Sequence, residues 1–413
     1  MTNYERQKHI YGMLTKVFFD KAYSGIVLNA EINKVPDGDK PFVTKVFYGV
    51  IEKNEYLTYA ISSLAKSAPQ PKIALVMKIG LYQLYFTSQS PYAVVSASVD
   101  LVKNIGKKEV AGFVNATLKN YDKVRFPDKS NRIKYLTVFG GVPEWLAKKL
   151  IAQLGFDFAL DMLTAELPLK THVRNNPVVV EKDEFGRKYS LTDKSAFGFY
   201  VTADELKKFA PDEYTVQSIS SIAAVNFYIK NLRSGSVLDV CAAPGGKSVL
   251  MAQSGDFSVT ACDLHPHRTE LIKKYASRMG VALNVELNDA SRENGKWRNA
   301  FDIVICDVPC SGIGVIKSKP DILLNRKEAD IGILCAEQSS ILSVSAAYVK
   351  TGGRLCYSTC TVLYEENMRV IERFLQKNPG FEIDREDDDG IMELFPNTDK
   401  CDGFFVARLR RRI

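Results

Sequence analysis

The sequence predicts a doubly wound α/β sheet in its C-terminal half and a helical region before it, on three observations. Ser236–Ser248 reads SVLDVCAAPGGKS, a short apolar run followed by a glycine-rich turn and the start of a helix. Further apolar runs that end in acids or polar turns follow at Val259–Asp263, Phe301–Asp307 and Gly353–Ser358. Residues 1–125 instead place apolar side chains at helical spacing. A strand, a glycine-rich turn and a helix form the first unit of a doubly wound sheet, whose ligands bind at the carboxyl ends of the strands.

Length and composition are those of a globular protein with a sizeable core. The 413 residues suffice for two or three domains, and 46% hydrophobic and 25% charged residues are ordinary values. No N-terminal stretch has the layout of a signal peptide, and no apolar run approaches the roughly 20 residues that span a membrane. All eight cysteines lie at or after Cys241, which is typical of reduced thiols rather than a disulfide framework. We therefore expect a cytoplasmic enzyme without membrane association.

The positive charge is concentrated in the first third of the chain. Residues 1–130 contain 18 Lys or Arg against 11 Asp or Glu, which accounts for the whole net charge of +7. An excess confined to one region predicts a docking surface for a polyanion, the alternative being a lysine-rich, solvated helical surface. The amphipathic stretches of this region are Tyr4–Ala22, Val43–Leu64, Pro71–Tyr85, Ala93–Ile105 and Glu109–Leu118.

Residues 126–230 predict a connector and a small mixed unit. His172 and Arg174 lie on a predicted strand of this unit, where they could contact phosphate or cover a solvated surface. The predicted elements are a helix that opens after Pro143, a helix around Phe156–Glu166, a strand at Lys170–Asn175 and a hairpin of Val178–Glu181 with Arg187–Leu191.

The turn after the first strand of the sheet is not a phosphate-binding loop. The pattern GxxxxGK[ST] would require glycine at Cys241, and Pro244 removes a backbone N–H donor. The turn does not match GxGxxG either. The sequence therefore favours a cofactor that is not held through phosphates.

Acidic residues follow three further strands of the predicted sheet. Asp263 lies 24 residues after Asp239, where an acid can accept hydrogen bonds from both ribose hydroxyls or cap the next helix. Asp289 follows another short strand and on its own is typical of a turn. Asp307 ends the apolar run FDIVICD. Because carboxyl ends of parallel strands share one edge, we expect these acids to line a single site.

Two cysteines differ from the others because each follows a strand and lies in a polar or proline-containing turn. Cys310 lies in VPCSG and Cys360 in STCT. A thiolate is a strong nucleophile, which a helix N-terminus or a nearby cation activates, so we expect both at the rim of the sheet and in catalysis. No His and Cys group has metal-ligand spacing, so no metal is expected. Inert packing in the core is expected of Cys241, Cys262, Cys306, Cys335 and Cys356.

Three motifs in this order, DVCAAPGGKS, DVPCSG and YSTCT, resemble those of the Nol/Nop/Sun class of S-adenosylmethionine-dependent RNA cytosine-5 methyltransferases. Lys78–Tyr85, with VSASVDLVK and FVNATLKN, resembles a NusB-like RNA-binding domain, and this combination is most similar to the ribosomal RNA small subunit methyltransferase B branch of the class. The resemblance implies an all-helical NusB-like domain at residues 1–125, a connector with a small α/β subdomain at 126–230, and a Rossmann-like methyltransferase domain at 231–413.

The resemblance also implies roles for individual residues. Asp263 would bind the ribose of S-adenosylmethionine, Asp289 its adenine amino group, and Asp307 would lie between the cofactor and the target base. Cys360 matches the covalent nucleophile, and Cys310 matches a second cysteine that assists product release. The turn that would hold the methionine end of the cofactor comprises Cys241, Ala242, Ala243, Pro244, Gly245, Gly246 and Lys247.

The implied reaction is methylation of C5 of a cytosine in small-subunit ribosomal RNA. Cytosine C5 is too weak a nucleophile to take the methyl group unaided, so the Cys360 thiolate would first add to C6. Asp307, protonated or hydrogen-bonded at N3, would offset the negative charge of that addition, and Lys247 could orient Asp307 or activate a thiol. The target base has to leave any stack to be reached.

These expectations make RNA the partner and a monomer the expected state, with no role for DNA. A transfer RNA cytosine-5 methyltransferase with the same cysteines is the first alternative. A non-catalytic RNA-binding assembly factor is the second, although a protein that only binds RNA has no need of two thiols at the rim.

Overall fold

The computed structural model describes residues 1–168 and 170–412, and Ile413, the last residue of the predicted third region, lies outside these ranges. The chain packs as two compact units. Unit 1 comprises Met1–Thr164 and Ile316–Lys327, and unit 2 comprises Ala165–Val315 and the chain from Glu328 onward. Within the described residues, no helix is both long and apolar enough to cross a membrane.

Helices make up unit 1, and helices alternate with strands in unit 2. The α-helices are α1 Asn3–Phe18, α2 Ser24–Glu31, α3 Lys40–Glu52, α4 Asn54–Leu64, α5 Pro71–Phe86, α6 Pro91–Asn104, α7 Ala111–Lys119, α8 Arg132–Gly140, α9 Glu144–Leu154, α10 Phe156–Thr164, α11 Lys182–Lys188, α12 Ala203–Leu206, α13 Ile219–Tyr228, α14 Gly246–Gln253, α15 Pro266–Arg278, α16 Ile322–Asn325, α17 Glu328–Ala346, α18 Met368–Lys377 and α19 Pro396–Asp399. The strands are β1 Thr171–Asn175, β2 Lys194–Ser195, β3 Gly198–Val201, β4 Tyr214–Val216, β5 Ser234–Asp239, β6 Asp256–Asp263, β7 Asn284–Leu287, β8 Phe301–Asp307, β9 Val349–Thr359, β10 Phe381–Ile383, β11 Ile391–Leu394 and β12 Phe404–Arg411.

The predicted helical region is confirmed, but α2 was not predicted and α1 ends at Phe18 rather than at Ala22. The stretch predicted as continuous from Val43 to Leu64 breaks at Lys53 into α3 and α4. The central helix α5 is buried over most of its surface and packs closely because Gly80 has no side chain. A Cβ there would lie 2.8 Å from Ser98 Oγ and 3.0 Å from a Leu118 methyl group.

A segment from the second half of the chain completes unit 1. Within Ile316–Lys327, the buried Asp321 accepts hydrogen bonds from the Ser24 N–H at 3.3 Å and from Ser24 Oγ at 2.6 Å. Lys317 Nζ lies 4.0 Å from Glu52. The helical unit is therefore not made of N-terminal residues alone.

Unit 2 contains an eight-stranded sheet in the order β10-β12-β9-β8-β5-β6-β7, with β11 paired to β12. Strands β5 to β9 are parallel, and β12 runs antiparallel to β9. The central β8 is a nearly continuous buried apolar run, as parallel strands covered on both faces are. The carboxyl ends of the parallel strands meet at one edge, and the strand order reverses between β5 and β8. The predicted doubly wound sheet is confirmed, and a second antiparallel sheet has the order β2-β3-β1-β4.

One local prediction is wrong. The hairpin predicted between Val178 and Leu191 is replaced by α11, because a helix buries Phe185 and Gly186 against β3 while its charged residues remain in contact with water. The partners of β1 are β3 and β4. Glu365 and Glu366 precede α18, which begins at Met368.

Candidate active site

The turn between β5 and α14 exposes backbone groups beside a buried acid. Gly245 has φ +105°, a left-handed conformation that suits glycine, and the Ala243–Pro244 peptide bond is cis. The helix α14 begins at Gly246, and its Ser248 Oγ donates to Asp239 Oδ2 at 2.6 Å. Burial raises the pKa of Asp239 to about 6. The turn thus offers a glycine backbone and a helix N-terminus to a ligand.

Asp263 ends β6 and Asp289 follows β7, at the predicted edge of the sheet. The buried Asp263 accepts a hydrogen bond from the His265 N–H at 3.1 Å, and its Oδ2 lies 3.3 Å from Arg268. The N-cap of α15 is His265, so the capping alternative for Asp263 is wrong. Asp289 accepts two hydrogen bonds from Ser291, which lower the pKa of its carboxyl group.

Asp307, at the end of β8, accepts a hydrogen bond at each carboxylate oxygen. Lys247 Nζ donates to Oδ2 at 2.6 Å, and Ser358 Oγ donates to Oδ1 at 2.8 Å. Burial alone would lower the pKa of Lys247, but the ion pair with Asp307 and the nearby Asp239 outweigh burial and raise it. The Asp307 side chain is still 27% exposed, so it can accept a further hydrogen bond from a ligand.

The two cysteines singled out in the sequence lie together. Cys310 follows β8 and Cys360 follows β9, and their Sγ atoms are 3.2 Å apart. Both residues are half-buried. The hydrogen bond to Cys360, followed by burial, raises the pKa of Cys310 well above its usual value, so Cys310 keeps its proton. The Gly314 N–H donates to the Cys360 carbonyl at 3.0 Å and ties the two turns together.

A buried carboxylate that the sequence analysis missed holds the Cys310 turn. Glu366 is fully buried, and its Oε2 accepts hydrogen bonds from the Ser311 N–H at 2.8 Å and from Gln338 Nε2 at 2.9 Å. Gln338 Nε2 also donates to the Pro309 carbonyl at 2.9 Å. The backbone on both sides of Cys310 is thereby fixed. In the sequence, Glu366 looks like an acid of a first helical turn, and no local signal separates these two roles.

His172 and Arg174 are buried, so both sequence interpretations, phosphate contact and solvated surface, are wrong. His172 Nδ1 lies 2.7 Å from the Gln217 carbonyl, and Arg174 donates to the side chains of Gln217 at 2.6 Å and Gln253 at 2.7 Å. Burial lowers the pKa of both groups. Core burial is confirmed for Cys262, Cys306 and Cys356, whereas Cys241 and Cys335 are half-buried.

The groups at this edge suit a nucleoside cofactor without phosphates. Within the described part of the chain, no three His, Cys, Asp or Glu side chains are placed to hold a metal ion. Asp239, Asp263 and Asp289 would repel phosphate groups, but carboxylates can accept hydrogen bonds from ribose hydroxyls and amino groups. Space at the turn is tight, since a Cβ on Gly245 would lie 3.3 Å from Ile272. These acidic hydrogen-bond acceptors therefore fit a nucleoside cofactor whose other end is positively charged.

The chain is similar to known proteins along almost its whole length. The family described as 16S rRNA methyltransferase RsmB/F matches residues 228–410, and the NusB family matches residues 5–123. The chain is 30% identical to the "Probable ribosomal RNA small subunit methyltransferase B" of Bacillus subtilis (strain 168), over 97% of each chain. It is 28% identical to the "Ribosomal RNA small subunit methyltransferase B" of Enterobacter sp. (strain 638), over 91% of this chain and 92% of that protein. The crystal structure of PH0851 shares the fold, with a TM-score of 0.78 and 21% identity over 98% of this chain and 99% of that one.

Proposed function

The chain belongs to the ribosomal RNA small subunit methyltransferase B family, and we propose that it methylates C5 of a cytosine in small-subunit ribosomal RNA. It is an S-adenosylmethionine-dependent RNA methyltransferase. The observation that carries the cytosine C5 proposal is the 3.2 Å contact between Cys310 and Cys360. Asp307 supports it, because β8 and β9 pair Asp307 with Ser358, two residues before Cys360.

We assign the cofactor to the edge formed by β5, β6 and β7. The turn from Cys241 to Lys247 would hold the methionine end, Asp263 the ribose hydroxyls and Asp289 the adenine amino group. When bound, S-adenosylmethionine supplies an electrophilic methyl group. The acids Asp239, Asp263 and Asp289 support the assignment. Ionised carboxylates accept hydrogen bonds from hydroxyl and amino groups and repel phosphate groups.

Cys360 is the proposed nucleophile. Its thiolate adds to cytosine C6, which forms the sulfur–carbon bond and shifts electron density onto C5, the atom that receives the methyl group. Asp307, when protonated, would donate a hydrogen bond to N3 of the ring and accept one from the amino group, and so offset the negative charge of the addition. Lys247 and Ser358 support that role because they fix the carboxylate before the base arrives. The base itself has to be extruded from its stack.

Release of the product requires the bond between Cys360 and C6 to break. Loss of the C5 proton to a base drives this elimination, and the sulfur departs as a thiolate. The Cys310 thiol lies 3.2 Å away, and its raised pKa means that it still carries a proton to donate to the departing sulfur. Glu366 and Gln338 would keep the Cys310 turn in place during this step.

We propose that the helical region binds the RNA backbone. Residues 1–130 hold the entire net positive charge, and the NusB match at residues 5–123 coincides with that region. Lys and Arg that neutralise phosphates supply affinity without reading sequence. We further propose that the enzyme is a cytoplasmic monomer that does not act on DNA, with domains at residues 1–125, 126–230 and 231–413.

The cysteine roles are tested by substitution in the full-length chain. Cys360→Ala should abolish methyl transfer from labelled S-adenosylmethionine to small-subunit ribosomal RNA, because the C6 bond cannot form, and cofactor binding by calorimetry should persist. Cys310→Ala should accumulate a denaturation-resistant protein–RNA adduct, because attack remains possible while release slows. Cys401→Ala removes a buried thiol from the same unit and serves as the control with normal turnover.

Each outcome separates one reading from the others. Full activity of Cys360→Ala would remove the nucleophile role. Methylation of transfer RNA alone would favour a transfer RNA cytosine-5 methyltransferase, and RNA binding without methylation of any RNA would favour an assembly factor. Bisulfite mapping of the modified RNA identifies the cytosine and checks that the methyl group is on C5.

A further inference from the structure

A chain of hydroxyl groups leads from a buried tyrosine to the carboxylate of the active site. Tyr228, at the end of α13, donates from its hydroxyl to Ser358 Oγ at 2.6 Å. Ser358 Oγ in turn lies 2.8 Å from Asp307 Oδ1 and donates to it. Tyr228 and Ser358 are both fully buried. Sequence reasoning assigned no role to either residue, although Ser358 lies inside the YSTCT motif.

The direction of this chain follows from the number of protons available. A serine hydroxyl carries one proton, and because Ser358 accepts from Tyr228 it is free to give that proton to Asp307. Burial raises the pKa of Tyr228 well above its usual value, so the phenol keeps its proton and acts as the donor. Asp307 therefore receives one hydrogen bond from Ser358 and one from Lys247, on opposite oxygens.

Two arginines keep the end of α13 in position. Arg354 Nη1 donates to the Tyr228 carbonyl at 3.2 Å and to the Lys230 carbonyl at 2.7 Å, and Arg408 Nη1 donates to the Phe227 carbonyl at 2.9 Å. The last carbonyls of a helix have no partner within the helix, so these guanidinium groups satisfy them and fix the helix end. The register of β8 and β9 places Ser358 directly beside Asp307.

We propose that Tyr228 and Ser358 are positioning residues that fix the orientation of the Asp307 carboxylate for the methyl-transfer reaction. Lys247 alone would hold one oxygen and leave the carboxylate able to rotate. With Ser358 on the other oxygen, the plane of the group is set. The inference rests on the proposed function, because it concerns the carboxylate to which that function gives a role.

Tyr228→Phe removes one hydroxyl and keeps the ring that fills the core. We expect kcat for RNA methylation to fall between about tenfold and 100-fold, because small misplacements of a catalytic group cost that much. The KM for RNA and the dissociation constant of S-adenosylmethionine should stay within about twofold, since the tyrosine touches neither ligand. Tyr348→Phe is the matched control. Tyr348 is also fully buried in unit 2, and its hydroxyl bonds the Asn294 N–H at 2.7 Å, so its loss should leave kcat unchanged.

A second pair of variants covers a failure of Tyr228→Phe to fold. Ser358→Ala should lower kcat at least as much as Tyr228→Phe, and Ser358→Thr, which keeps the hydroxyl, should recover part of that loss. Wild-type kcat in Tyr228→Phe or Ser358→Ala would overturn the inference, as would equal losses in the Ala and Thr variants. If the wild-type enzyme forms no 5-methylcytosine, the proposed function fails first, so the two failures are distinguishable.

Discussion

Two clusters of ion pairs lie on the same eight-stranded sheet and differ in how far each is closed to solvent. One joins Lys247 to Asp307 at the carboxyl edge of the sheet. The other joins Arg354 and Arg408 to Asp384, with distances of 3.0 and 3.1 Å to the same carboxylate oxygen. Both combine carboxylates with cations from distant parts of the chain, yet only the first has the exposure needed to meet a substrate.

The Arg354–Arg408–Asp384 cluster uses its hydrogen-bonding capacity inside the protein. Its three side chains are at most 4% exposed. The guanidinium groups also reach Asp387, Asp388 and the carbonyls at the end of α13. The Arg408 side chain is 0% exposed, so it can neither contact RNA nor make the last strand soluble. A buried charge satisfied in this way serves the fold.

The Lys247–Asp307 pair keeps part of its capacity for a ligand. Asp307 is 27% exposed and Lys247 14% exposed, and the carboxylate has lone pairs that Lys247 and Ser358 do not use. The comparison shows that the presence of an ion pair does not mark a site. Residual exposure and unused acceptor capacity do, and both are properties of the folded chain.

The largest expected effect is the loss of stability when the buried Arg354–Arg408–Asp384 cluster is broken. Arg408→Met should lower the free energy of unfolding by about 3–5 kcal/mol, because Asp384 loses one of its two guanidinium partners without gaining water. Chemical denaturation measures this change. Arg412→Met removes only the exposed pair with Glu382 and should leave the free energy of unfolding close to the wild-type value. Equal losses of stability in the two variants would show that the buried cluster stabilises the fold no more than an exposed ion pair does.

Substitution in the Lys247–Asp307 pair should instead change kcat strongly and stability weakly. Asp307→Asn should reduce kcat by on the order of 10²–10³-fold, because an amide cannot transfer a proton to N3 of the ring and so cannot offset the negative charge of the addition. The free energy of unfolding should fall by about 1 kcal/mol, since water reaches both partners of the pair. Single-turnover kinetics and denaturation of the same preparation separate the two quantities. A stability loss as large as that of Arg408→Met, with kcat unchanged, would reverse the comparison.

Asp239 sharpens the comparison, because this buried carboxylate is hydrogen-bonded by the neutral donors Ser248 Oγ and the Cys241 N–H. Its folded-state pKa of about 6 lies above the ordinary 3.8, so between roughly pH 4 and 6 the folded state binds more protons than the unfolded state. Stability from this group therefore falls as pH rises through that window. The free energy of unfolding of Asp239→Asn, relative to that of the wild type, should therefore rise by on the order of 2–3 kcal/mol between pH 4 and pH 7.5.

Asp302→Asn is the control for that measurement. Burial would raise the pKa of Asp302, but hydrogen bonds from Ser236 and Lys350 outweigh burial and lower it. Its contribution to stability is therefore present above the unfolded-state pKa and is lost as pH falls. Relative to the wild type, Asp302→Asn should lose stability with rising pH, the opposite sign to Asp239→Asn. Parallel changes in the two variants would contradict the assignment of the pKa of Asp239 to burial.

Much of the fold was readable from local pattern. The run SVLDVCAAPGGKS, the apolar strands after it and the helical spacing of residues 1–125 depend on neighbours within a few turns of chain, so the sequence predicted the doubly wound sheet and the helical region. The helix α11 was missed because only its contact with β3 selects a helix over a hairpin. The sequence also could not predict that Ile316–Lys327 belongs to unit 1, because this depends on the hydrogen bond between Ser24 and Asp321, which are far apart in the chain.

The sequence by itself determined which side chains could do chemistry, because thiols, carboxylates and glycine turns at strand ends follow from residue type and order. Only the tertiary structure decided that Cys310 and Cys360 lie 3.2 Å apart and that Arg408 is buried while Asp307 is partly exposed. It also decided that hydrogen bonds connect Tyr228 to Asp307 through Ser358. Strand register and burial set these distances and exposures, and both arise from contacts between residues tens to hundreds of positions apart. No local pattern can encode them.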